Sequence, residues 1–325
     1  MSAPSPTAAA LLRDGLVARI DALAEVAEHL DPAGRRIVSV RLAGGWAFDV
    51  LPDRGLDIGS AWWGRTPIAW RSPLAVDPGA GSTWEHRFLG GLLATCGTEN
   101  IGPARDDAGE HGSHHLTPAT DVRVVREIEG DALRVRVLGR VESTRLYGRR
   151  IVVEREISAR TDDAAITVRD TVRNAGAAAE PVALLYHVNI GAPVLHPGTT
   201  VDVAAERSVQ REPVASVDSP GRMPEPSDVP DAAVFEHVGV ATADGTSRVV
   251  VRPPGAAPAL AVEWSSGALP RLFEWMWPSR GAWALGIEPA NAPLFGPERA
   301  SAHAGAPPLA AGASIATELR ISALE

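Results

Sequence analysis

One carboxylate near the C-terminal end, Glu288, stands in the most aromatic part of the chain. Residues 263–297 carry Trp264, Trp275, Trp277 and Trp283, four of the nine tryptophans. From Trp283 to Glu288 the residues alternate, which predicts a strand with Trp283, Leu285 and Ile287 on one face and Ala284, Gly286 and Glu288 on the other. A carboxylate behind two very small residues and just before a proline has room for a substrate, which suits a general base. By local pattern alone, a strand-end glutamate in an ordinary salt bridge is the plainer expectation, so the rest of the chain must supply partners.

The histidines are the first place to look. His187 and Asn189 lie two apart in the almost wholly apolar run at 181–191 and therefore share a strand face. Two polar groups inside a buried strand are costly unless satisfied, which favours a site there over a core histidine bonded to a neighbour. His111, His114 and His115 invite a metal hypothesis. In an extended segment, though, His114 and His115 point to opposite faces, so one histidine at a pocket rim is the expectation. Arg54 and Asp57 either pair with each other in a turn or line a polar pocket, where Arg54 would offer a planar fork of donors. Cys96 is either a nucleophile or, more commonly for an isolated cysteine, a small buried thiol.

Composition narrows the chemistry. All 31 basic side chains are arginine, so mechanisms that need a lysine amine are excluded: Schiff-base aldolases, pyridoxal-phosphate enzymes and the P-loop lysine. Arginine stays protonated, and proton transfer at neutral pH falls to the nine histidines and the carboxylates. A net charge of −9 without basic clusters argues against nucleic acid or an anionic membrane as partner. No apolar run reaches the ~18 residues of a membrane span, and no basic segment precedes an apolar one at the N-terminus. With a single cysteine, the expectation is a reducing, cytoplasmic setting.

The elements that must position these residues read mainly as strands. Residues 1–10 are expected to be a disordered tail and 11–325 a single domain. Residues 11–30 have helical propensity, and whether 24–30 is helix or the first strand of a hairpin stays open. Residues 46–52 alternate, and 121–174 holds successive antiparallel strands with one wet face, separated by glycine- and aspartate-containing turns. An acidic loop is expected at 106–110. Residues 211–231 carry five prolines and read as a long loop, with strand resuming at Val234 and again over 314–321.

Five segments, in this order, resemble the aldose 1-epimerase (galactose mutarotase-like) superfamily, and more closely its DUF4432 branch. They are Val50-Leu-Pro-Asp-Arg-Gly-Leu-Asp-Ile58, Gly90-Gly-Leu-Leu-Ala-Thr-Cys-Gly97, His111-Gly112, His187-Val-Asn-Ile-Gly191 and Leu285-Gly-Ile-Glu-Pro-Ala-Asn291. The resemblance implies an all-β fold, a large twisted antiparallel β-sandwich with a sugar site in a groove across one sheet. It implies that His187 is the general acid toward the ring oxygen, Glu288 the general base toward the anomeric hydroxyl, and His111 a substrate ligand. Trp275 would then face the C–H surface of a sugar. Arg54, Asp57, Asn189 and Asn291 would read its hydroxyls.

The expected activity is mutarotation, with a small sugar or sugar derivative as partner, no cofactor, and a homodimer as one assembly. Two alternatives stand beside it. One is a metal-dependent sugar isomerase or lyase, with His111, His187 and Glu288 holding a divalent ion. The other is a non-catalytic carbohydrate-binding protein.

Overall fold

A computed structural model describes residues 7–79, 82–105 and 108–324. Two large antiparallel sheets pack face to face. The larger runs Ala24–Leu30, Arg36–Leu42, Trp46–Leu51, Asp57–Trp63, Leu93–Thr98, Ala183–Ile190, Ala284–Ala290, Arg271–Trp277, Ala233–Val238, Arg207–Gln210 in spatial order. The smaller runs Thr200–Val203, Thr246–Arg252, Ala259–Ser265, Ser314–Leu324, Ala165–Asn174, Arg150–Arg160, Ala132–Thr144, Thr120–Glu129. The class is all-β, as the alternation predicts.

One local expectation meets a correction, and one open alternative is decided. Ala8–Arg13 is a short helix capped by Thr7, so the proposed tail does not extend through residue 10; residues 1–6 lie outside the described residues. Residues 106 and 107 of the expected acidic loop also lie outside them. Residues 24–30 are a strand, because Ala24–Leu30 pairs along its whole length with Arg36–Leu42. That ladder outweighs the helical preference of its alanines and glutamates.

Period-two alternation divides the central strands between two environments. Tyr186, Val188, Leu285, Ile287, Leu272 and Met276 turn inward and join the core shared with the second sheet. Their sequence neighbours His187, Gly286, Glu288 and Trp275 turn to the outward face of the larger sheet. The site therefore lies outside the sandwich, under loops, rather than between its layers.

Candidate active site

Three adjacent strands form the floor. Ala183–Ile190 pairs with Ala284–Ala290, which pairs in turn with Arg271–Trp277. Asn189 is directly opposite Gly286, and Gly286 opposite Trp275. A β-carbon on Gly286 would lie 2.7 Å from Glu288 Oε1 and 2.9 Å from His187 Cε1. The glycine thus vacates the space in which the two functional side chains meet. His187 Nε2 lies 3.1 Å from Glu288 Oε1, and both residues are almost fully buried.

Above the floor is a cavity of about 500 Å³. Trp70, Phe88, Trp275 and Trp277 make one continuous aromatic wall, with ring centroids 5.7–6.0 Å apart. Phe88 and Trp275 each approach the His187 ring to 5.3 Å. Trp84 stacks on Phe88 at 4.6 Å and meets His111 at 4.5 Å. His111 sits at a turn with φ 57° followed by Gly112 with φ 69°. A β-carbon on Gly112 would collide at 2.5 Å with the carbonyls of Gly97 and Asn100, so only glycine lets this turn press against the neighbouring strand.

Burial sets the protonation of the site. It pushes the Glu288 carboxyl up to about 8, opposed by Arg211. It pushes His187 down to about 3, assisted by His111, and His111 itself down to about 4. A charged imidazolium–carboxylate pair here would need several further polar partners to offset desolvation, and beyond Glu288 the His187 ring has only the Asn189 side chain beside it. At neutral pH we therefore place a single proton in the pair, on Glu288, with both groups uncharged. Glu110, at the cavity edge, is also raised, by burial and then by Glu85.

The structure brings His187, Glu288, His111 and Trp275 to this one cavity. Four other expected ligands lie elsewhere. Arg54 is bound to Asp77 at 2.8 Å and to the Arg87 carbonyl, on a different part of the surface. Asp57 points into the inter-sheet core and accepts from Arg155 at 2.6 Å and from Thr95. Asn189 shares the His187 face but donates to the Gly91 and His187 carbonyls and does not line the cavity. Asn291 serves the backbone, accepting from Leu184 N at 2.7 Å and donating to the Val182 carbonyl. Each of these four satisfies a protein group that would otherwise be orphaned.

The tryptophan cluster also divides. Trp264 belongs to the second sheet, and Trp283, with φ 50°, precedes the strand and donates to the Leu195 carbonyl. His114 and His115 are buried in one short 3₁₀ turn rather than alternating along a strand. Cys96 is fully buried, its thiol raised well above the usual range by burial.

The metal alternative has no geometric support. The His111 and His187 rings are 6.4 Å apart, and among the described residues no group of three or more His, Cys, Asp or Glu could hold an ion. Cavity-lining residues not singled out from sequence are Trp84, Phe88, Glu110 and Arg211. All come from loops or short turns without periodicity, where only the tertiary fold shows which side chains converge.

The fold is a β-sandwich of the galactose mutarotase-like kind, as solved structures show. A candidate aldose 1-epimerase from Klebsiella pneumoniae superposes with a TM-score of 0.81 at 18% identity, covering 90% of this chain and 80% of its own. A galactose mutarotase-like protein from Clostridium acetobutylicum gives 0.61 at 13% identity, covering 92% and 98%. A candidate mutarotase from Salmonella typhimurium gives 0.62 at 12%, covering 95% and 99%. No curated protein matches the chain in sequence. Within this class the chain belongs to the DUF4432 family, described as a domain of unknown function, whose model matches residues 32–323.

Proposed function

We propose that the protein is a sugar mutarotase, opening and reclosing the ring of a reducing sugar by acid–base chemistry at His187 and Glu288. The observation that carries this reading is the buried His187–Glu288 contact at 3.1 Å beneath an aromatic cavity. Ring opening removes a proton from the anomeric hydroxyl and adds one to the ring oxygen. A pair that holds one proton and can pass it between its members supplies both functions.

When a sugar enters, its anomeric hydroxyl and ring oxygen take places beside the two side chains. The imidazolium tautomer then protonates the ring oxygen while carboxylate Glu288 takes the anomeric proton. Reclosure on the other face of the aldehyde reverses the transfers and restores the pair. The aromatic surround strengthens the attraction between the imidazolium and the carboxylate as they form, and His111 Nδ1, buried without a protein partner, is free to bond a hydroxyl. No cofactor enters this scheme.

Saturation-transfer NMR between the two anomers measures the activity directly. The native protein should transfer saturation well above the buffer rate, and Glu288→Gln should lower the rate by at least ~10²-fold, the usual weight of one acid–base group. Exchange no faster than buffer across a broad panel of aldoses would sink the proposal.

A further inference from the structure

The cavity is larger and more aromatic than a single hexose needs. A hexose packed at organic-crystal density occupies roughly 200 Å³, well under half of the 500 Å³ above the His187–Glu288 pair. One indole covers about one face of a pyranose, yet five aromatic rings adjoin here, from Trp84 through Phe88 and Trp70 to Trp275 and Trp277. Only Phe88 and Trp275 of this set contact the His187 ring. Trp277 is one ring further out, 5.7 Å beyond Trp275, so the aromatic surface continues past the reacting end.

Charge narrows the ligand further. Besides Glu288, the cavity carries two carboxylates, Glu85 and Glu110, and one guanidinium, Arg211. Arg211 is already held by Glu212, at 2.8 and 3.0 Å. Arg54, the other candidate for an anionic group, is committed to Asp77 outside the cavity. Among the described cavity residues, a phosphate or carboxylate on the sugar would find no unpaired guanidinium and two carboxylates nearby. The polar atoms left open are neutral: Trp84 Nε1 and His111 Nδ1 are both buried without protein partners, and they suit hydroxyl groups.

We propose that the site takes an uncharged reducing disaccharide, its reducing unit over His187 and Glu288 and its second unit on the aromatic surface toward Trp277. This rests on the mutarotase reading and extends it to the substrate. Two measurements keep the two apart: anomer exchange by NMR, and binding by calorimetry, on maltose, cellobiose, lactose, glucose, galactose, glucose 6-phosphate and galacturonate.

At least one of the disaccharides should exceed both hexoses about tenfold in kcat/KM and in affinity. The two anionic sugars should fall below the hexoses. Trp277→Ala should bring the disaccharide-to-hexose ratio down toward one. Hexoses exchanged as well as or better than every disaccharide, or an anionic sugar preferred, would overturn the inference while leaving mutarotation intact. Disaccharides bound tightly but never exchanged would overturn mutarotation and leave the ligand class. Binding of no sugar in the panel overturns both.

Discussion

Burial raises Glu288 and lowers His187, so the pair is expected to share one proton at neutral pH, and this sets how the site should respond to pH. The pair is competent while it holds that proton. Its loss, governed by Glu288 near 8, leaves a carboxylate beside a neutral imidazole and no acid for the ring oxygen. We expect kcat/KM to be flat through neutrality and to fall above about pH 8. The acid limb should appear only near pH 3–4, where His187 and His111 take up protons. Stability gives a second readout with its own sign. Folding raises Glu288 from 4.5 to about 8, so its contribution is complete below 4.5 and is lost as pH rises through 8. His187 is depressed from 6.5, so its contribution is present above 6.5 and is lost as pH falls toward 3. Glutamine does not titrate. Urea denaturation at pH 5 and pH 9 should therefore show Glu288→Gln gaining stability relative to the native protein at the higher pH. An unchanged difference would mean that the carboxyl is not held neutral by the fold.

At the scale of elements, the loop over residues 211–231 matters because it brings Arg211 and Pro230 to the cavity. Its anchor lies on the opposite face of the sheet. Glu274, the sequence neighbour of the cavity-facing Trp275, points the other way and is fully buried. It accepts from Gly221 N of the loop at 3.1 Å and sits 2.8 Å from His237 Nε2, while His237 Nδ1 meets Ser208 Oγ at 2.9 Å. Glu274→Leu removes the acceptor and orphans the buried His237 ring and the half-buried Gly221 N–H, at a cost of about 1–3 kcal/mol. We expect amide hydrogen exchange over 211–231 to quicken and KM to rise about fivefold, as ~1 kcal/mol of loop ordering implies, with a smaller change in kcat. Exchange rates equal to those of the native protein would show that the tether does not hold the loop.

The same scale shows what sequence can reveal. In Ala132–Thr144 the buried Leu133, Val135 and Val137 alternate with the half-buried Arg134 and Arg136, because one face meets the core and the other reaches solvent. Ala183–Ile190 and Ala284–Ala290 are buried on both faces, yet His187 and Glu288 stood out there as polar groups among apolar ones. Arg54, Asp57, Asn189 and Asn291 are expected at the site as readers of sugar hydroxyls, and Asp77, buried Arg155 or backbone groups claim them instead. Nothing in sequence separates a polar residue that serves a substrate from one that serves a carbonyl. Trp84 and Arg211 reach the cavity only through loop paths that carry no periodic signal.

Across the whole molecule, the two sheets are joined by charge as well as by apolar packing. Arg155, on the smaller sheet and fully buried, clamps Asp170 on the neighbouring strand at 2.8 and 2.6 Å, and reaches across to Asp57 and Thr95 of the larger sheet. Tyr186, next to His187 in sequence, donates to the same Asp170 carboxylate at 2.6 Å. One cation thus serves two carboxylates unequally. Burial works to raise both, and the two-point contact with Arg155 keeps Asp170 below its usual range, whereas Asp57, held at one point, stays above it. Arg155→Met deletes the cation and leaves both carboxyls in the core without it, which should cost about 3–5 kcal/mol in urea denaturation. Adding Asp170→Asn and Asp57→Asn to that variant removes the unpaired charges and should recover part of the loss. If Arg155→Met unfolds at the native urea midpoint, the network is not what couples the sheets. If the triple variant is no better than the single, the loss comes from missing hydrogen bonds rather than stranded charge. The first result would also leave the position of Tyr186, and through it the backbone that carries His187, to be explained by apolar packing alone.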